Sequence, residues 1–192
     1  MKYLFLFGVA WLFGPASALQ WTRQYDMVDE CTCGLALVTK GDKHGFVTKD
    51  GKLVVPLIYE DALHFNENMA AVKRDGKWGF IDTTGREVVV PQYTDANSFN
   101  DGLALVVKDN KHGFVDNSGK VAIPMSFDGA TGFSEGLAAV SKNGSWGYID
   151  KTGKEVIAFK YGYAGSFNEG VAKVLKAGKW IVIDRNEKKV EQ

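Results

Sequence analysis

The sequence predicts an all-β protein made of five tandem 34-residue units, each a short antiparallel β-meander. Three observations carry this. One phrase returns at a fixed interval. Runs of β-branched and aromatic residues alternate with turn residues at roughly 8–12-residue spacing. No stretch after the first twenty residues has the 3.6-residue apolar period of a helix.

The phrase is clearest at residues 75–85, DGKWGFIDTTG. Its copies begin at Lys43, Lys77, Lys111, Ser145 and Lys179, each 34 residues after the last. Other places keep the same register. Phe65, Phe99, Phe133 and Phe167 share one, with Cys31 in the first copy. Ala36, Ala70, Ala104, Ala138 and Ala172 share a second. Tyr25, Tyr59, Tyr93, Phe127 and Tyr161 share a third. The five units run from about residue 23 to 190 and form a single repeat domain over 19–192.

Residues 1–18, MKYLFLFGVAWLFGPASA, are a different material. One lysine, a short apolar run and Ala16-Ser17-Ala18 have the layout of a cleaved secretory signal. An uncleaved anchor is the alternative, although the run is short of the about 20 residues that span a bilayer. No later segment is apolar enough to be a membrane span. The protein is therefore expected to be exported, to the periplasm, the cell surface or the medium.

Charge is balanced, 23 basic against 23 acidic residues. That gives no polybasic nucleic-acid surface. Cys31 and Cys33 meet an oxidising compartment if the chain is exported. Three readings stand: a degenerate first unit with Cys31 as a small buried residue, a local or intermolecular disulfide, or a redox pair. Two thiols are too few for zinc.

Within a unit the strands can be placed. In the third, 103–108 is a strand, Asp109-Asn110 a turn, 111–116 a strand, and 120–123 a third strand closed by Pro124. Ala104 and Val106 share a face. An alanine in all five copies implies close approach by a neighbouring layer. Gly45, Gly79, Gly113 and Gly147 stand inside strands, where glycine is weakening unless something packs over it. An aromatic ring from an adjacent strand is the expected cover. Asp82, Asp116 and Asp150 open turns closed by a glycine three residues on. They are expected to accept backbone amides, not to bind calcium, since each loop offers one carboxylate.

These features resemble the WG-repeat family of bacteria: KWGFID with a following G-K-x-V-x-P, the x-Tyr-x-x-Ala segment, and Phe-x-Glu-Gly-Leu-Ala. The resemblance covers about residues 23–190. It implies a β-rich repeat module of exported or surface proteins and supplies no catalytic residues. The chain departs from the pattern at His44 and His112 in place of Trp, at Ile181 in place of Gly, and at Glu187 in place of Gly. The last unit therefore reads as a cap. Two architectures fit. An open β-repeat array is preferred, because 34 residues are few for a propeller blade. A closed five-bladed, propeller-like ring is the alternative.

No enzyme is expected. There is no asymmetric Ser/His/Asp grouping, phosphate loop or nucleotide fingerprint. The carboxylate row Glu67, Asp101, Glu135 and Glu169 recurs in successive units, as a scaffold feature would. His44 and His112 lie two units apart, too far to share a metal, so no metal or cofactor is expected. The expected role is a non-catalytic protein-interaction scaffold binding a protein partner, because repeats build extended surfaces. The alternative is a cell-wall or glycan-binding module using Trp78, Trp146, Trp180, His44 and His112, since KNGSWGYIDKTG (142–153) is similar to the aromatic hairpins of choline- and glucan-binding repeats. A spacer without ligand is a third reading. Exposure separates the first two. Buried Trp78 and Trp146 weigh against sugars, and an open row of rings favours them.

Overall fold

The computed structural model describes residues 20–191. The proposed signal at 1–18 lies outside them. The described chain is all β apart from a short 3-10 helix, Gln20–Gln24. It forms five antiparallel sheets, each a meander with its strands in chain order. In the third sheet the strands are Asp95–Ala96, Leu103–Lys108, Lys111–Asp116 and Val121–Phe127. The second and fourth sheets follow the same plan. The first opens on a longer strand, Met27–Thr32, and the fifth has three strands, Tyr163–Ala164, Val171–Lys176 and Lys179–Asp184.

Two kinds of two-residue turn set the registers. At the hairpin tips, Asp75-Gly76, Asp109-Asn110 and Asn143-Gly144 all have positive φ. That is the type I′ geometry whose twist suits a tight hairpin. The second kind precedes the second strand, where Glu67-Asn68, Asp101-Gly102 and Glu135-Gly136 are also left-handed. The third-to-fourth strand turns are capped by aspartate as expected. Asp82 Oδ1 accepts from the amides of Thr84 and Arg86 at 3.0 and 3.2 Å. Asp116 and Asp150 do the same.

Three expectations need correction. The strand placed at 120–123 continues through Pro124 to Phe127. It is the edge of its sheet, where a missing N–H removes no ladder bond. The in-strand glycines are not covered by aromatic rings. A Cβ on Gly79 would lie 2.4 Å from the Val89 carbonyl and 2.7 Å from the Pro91 nitrogen, and Gly45, Gly113 and Gly147 meet backbone likewise. The fourth strand crosses these positions at a bulge. Glycine is needed there because another backbone occupies the space a side chain would fill. Third, Cys31 is exposed, not buried, and Cys31 and Cys33 are not bonded to each other. Phe65, Phe99, Phe133 and Phe167 each pack on a ring of the preceding sheet, and Cys31 has no such ring among the described residues.

Both faces of the middle sheets are buried. Trp78 and Phe80 of the second sheet pack in one cluster with Phe99, Ala104, Val106 and Val115 of the third. Ala104 and Val106 are fully buried there, so the repeated alanine marks a close joint. Every extended contact between sheets joins one sheet to its immediate successor. The array is open, with two different ends.

Candidate binding surface

Three devices hold the joints, the first shared by all four and the other two by the second, third and fourth. The first is a ring pair: Phe46–Phe65, Phe80–Phe99, Phe114–Phe133 and Tyr148–Phe167, with centroids 4.7, 5.0, 4.7 and 4.8 Å apart. Such pairs add about 0.5–1.5 kcal/mol beyond their burial. In the fourth joint the extra hydroxyl of Tyr148 donates to the Gly165 carbonyl at 2.8 Å, and burial raises its pKa.

The second device is a side-chain donor aimed at the next unit. Asn66 and Asn100 Nδ2 donate to the Phe99 and Phe133 carbonyls at 2.8 Å, and Ser134 Oγ to that of Phe167 at 2.7 Å. The third is the carboxylate row. Glu67, Asp101 and Glu135 accept from the amides of Gly102, Gly136 and Gly170 at 2.9, 2.7 and 3.1 Å. These carboxylates clamp unit to unit. Glu135 also receives Arg185, whose guanidinium beside it is the main cause of its lowered pKa.

The first joint is built differently. Cys33 stands in the glutamate place and its sulfur faces the Phe65 carbonyl at 3.9 Å. His64 and Asp29 bridge the same units at 3.0 Å.

The residues proposed for glycan binding occupy unlike settings. Trp78 is 7% exposed. His44 and His112 are half-buried, and the buried Nδ1 of each has no hydrogen-bond partner. Trp146 is half-buried against the fourth joint, and Trp180 is 52% exposed. The row is not open along its length.

Sequence reasoning missed Tyr163. It stands where Asp61, Asp95 and Gly129 stand in earlier units. That break in the repeat was the available signal. Its ring lies 5.0 Å from Trp146 and 5.7 Å from Trp180, making a continuous line of three rings in the last two sheets. Lys173 Nζ sits 5.2 Å from the Trp180 ring centre. Beside them is a groove of about 540 Å³. No cluster of three or more metal-ligating side chains occurs among the described residues.

Similar solved chains share the fold at low identity. Hsv2 of Kluyveromyces lactis is 11% identical, with 82% of this chain and 58% of that one covered and a TM-score of 0.53. A eukaryotic initiation factor is 12% identical, with 85% and 53% covered and a TM-score of 0.54. The chain thus spans just over half of these β-propeller-like structures. No curated protein matches it. The model of the WG containing repeat matches residues 45–78, 78–111, 113–146 and 146–180. Each matched segment starts in or next to the third strand of one sheet and ends there in or near that of the next, so every repeat ties two sheets together. The chain belongs to the WG-repeat family.

Proposed function

We propose that the chain is a non-catalytic, exported repeat protein that acts as a protein-interaction scaffold in the cell envelope or outside the cell. One observation carries this reading. The fourth strand of each four-stranded sheet is a free edge bearing an exposed aliphatic side chain: Leu53, Val90, Val121 and Val156 are 42–63% exposed. Leu53 and Val121 share one place of the repeat and Val90 and Val156 hold two others, so it is the row of fourth-strand edges, and not one repeated side chain, that forms the extended surface. Pro56, Pro91 and Pro124 on these strands discourage edge-to-edge pairing with other sheets. Export rests on the layout of residues 1–18.

A photo-crosslinking residue placed at Val90 or Val156 in cells tests the scaffold. One defined protein adduct is expected from both places. It should disappear when Leu53, Val90, Val121 and Val156 are changed to lysine. The same adducts from the hairpin tip at Lys176, or none from any place, would sink the reading. Mature protein beginning at Leu19 in the exported fraction is the expected sign of signal removal.

A second reading, glycan binding, is favoured by the ring line Trp146–Tyr163–Trp180. It is confined to the end of the array, since Trp78 lies buried in a joint.

A further inference from the structure

We infer that the last sheet carries a site for an acidic oligosaccharide, a chain of uronic-acid type, with Trp180 and Tyr163 as the stacking surface and Lys173 as the carboxylate-selecting residue. The inference rests on the glycan reading and names its place and ligand class.

The rings come first. Tyr163 and Trp180 are 42% and 52% exposed, the two most exposed large aromatic residues among the described residues. They lie in edge contact with centroids 5.7 Å apart. Aromatic faces suit the C–H faces of pyranose rings, which are apolar and flat. The adjoining groove of about 540 Å³ is of a size to hold a small oligosaccharide, and Lys173, Trp180, Ile181, Val182, Lys189 and Glu191 line it.

Charge comes second. The chain as a whole is balanced, yet residues 171–191 hold six basic and three acidic side chains. Arg185 is paired with Glu135, and Lys160 from the fourth strand of the preceding sheet takes up Glu187. Lys173, Lys176, Lys179, Lys188 and Lys189 have no carboxylate partner among the described residues. Two of them line the groove, against one carboxylate, Glu191. The balance favours an anionic ligand.

Residue choice comes third and separates a sugar from a further repeat unit. Lys173 takes the place held by Leu37, Ala71, Leu105 and Ala139, all buried in joints. A sixth unit seated on this face would bury the Lys173 ammonium against apolar side chains, which is strongly unfavourable without a partner. Val182 likewise replaces the ring of Phe46, Phe80, Phe114 and Tyr148, so the ring pair of every earlier joint is lost. The face has given up the features that receive a repeat and kept Trp180.

The test is a fluorescence titration of the intact chain with tetragalacturonate and with its full methyl ester, which has the same backbone without charge. Saturable binding of the acid is expected, weakening with salt, with the ester about fivefold weaker. Trp180→Ala should weaken binding about tenfold. Tyr163→Asp should also weaken it, and Lys173→Ala should bring acid and ester to equal affinity. The last two restore residues that earlier units carry at these places, so folding is retained. Equal binding of acid and ester by the intact chain would overturn the acidic-ligand inference and leave glycan binding standing. Binding of neither would overturn both. Self-association abolished by Trp180→Ala would assign the face to another copy and overturn the inference as well.

Discussion

The two ends of the array present the same structural problem, an uncovered repeat face, and resolve it differently. At the first end Trp21 lies 34 residues before Val55 and does the work of its later counterparts. Val55, Val89 and Ile123 each pack over the turn glycine of the following unit, at Gly85, Gly119 and Gly153; Trp21 covers Gly51. Tyr25 packs against it with centroids 6.3 Å apart. The short helix Gln20–Gln24 and Tyr25 just after it thus place two side chains at the repeat's own positions without building a strand. At the other end no ring from another unit is laid over the face among the described residues. Lys173, Ile181 and Val182 replace the residues of an interior joint. One end is closed by packing, and the other is made polar and left open. Terminal repeats need a solvent-compatible face, and this chain reaches it by two routes.

The most severe way to break the comparison is Gly79→Ala. The new Cβ would meet the backbone of Val89 and Pro91 at 2.4 and 2.7 Å, and neither is a flexible side-chain end. The expected loss is about 3 kcal/mol or more. The fifth unit already carries Ile181 at this place, because there the full fourth strand is replaced by the bridge Ile183–Lys189 among the described residues. Ile181→Gly should cost only about 1 kcal/mol of lost burial. Urea unfolding of both variants measures the contrast. Equal losses would mean that the interior glycine does not make room for the crossing strand.

Trp21→Ala comes next. It uncovers Gly51 and the Ala36–Val38–Val47 cluster against which Trp21 packs. A half-buried indole in a cap should be worth about 2 kcal/mol. Trp180→Ala, at the exposed end, should cost about 1 kcal/mol or less. Hydrogen exchange of the first sheet is the sharper reading, since an array can lose its end unit first. If Trp21→Ala leaves exchange at Leu35–Lys40 unchanged, the helix is not a cap.

The repeat made most of this fold legible and hid what depends on a neighbour. Period, strand content, turn aspartates and turn glycines are local, and each was read from its own unit. The role of Gly79 was not, because the atoms that demand it belong to the backbone of another strand. Cys31 was misjudged for the same reason. Its place is buried only where a preceding ring exists. Trp21 was within reach, since subtracting the period from Val55 leads to it, but its place lies ahead of the units as they were counted. At the candidate site the rings were visible in sequence and their exposure was not. Trp78 and Trp180 hold equivalent places, and Trp78 has beside it a fourth strand, at Tyr93, and a following sheet that Trp180 lacks among the described residues, which separates 7% from 52% exposure.

Acid should separate interior from end more gently. The Thr84 hydroxyl, with further bonds from Arg86 and backbone amides, lowers the Asp82 pKa from 3.8 to about 2. A carboxylate with a depressed folded pKa contributes stability above its unfolded value, and that contribution is lost as pH falls through the folded one. Stability is therefore expected to drop between about pH 4 and pH 2, with Asp116 and Asp150 adding in the same direction. Asp82→Asn should lower stability at pH 7 and flatten the acid limb of the profile. In the fifth unit Asn186 replaces the Thr or Ser of this turn and offers only its amide to Asp184. An unchanged acid limb in Asp82→Asn would remove the capping role.

The smallest effect sharpens the comparison at a single dihedral. In three interior hairpins the first turn residue is Asp75, Asp109 or Asn143, types that tolerate left-handed backbone; in the fifth it is Ala177, held at φ 49°. The interior hairpin at Asn143 is also tied down by its amide, which donates to Asp128 at 2.8 Å, whereas Gly162 stands at the Asp128 place in the fifth unit. The last hairpin thus has a strained residue and no carboxylate at its tip. Ala177→Asn should relieve the strain without the extra unfolded-chain freedom that glycine brings, and so stabilise by about 0.5–1 kcal/mol. The same exchange in reverse, Asn143→Ala, should cost more, since it adds strain to an exposed tip whose two strands are packed into the joints. If the two changes are equal and opposite, the end unit is as firmly held as the interior, and the difference between the two ends of the array lies in their faces alone.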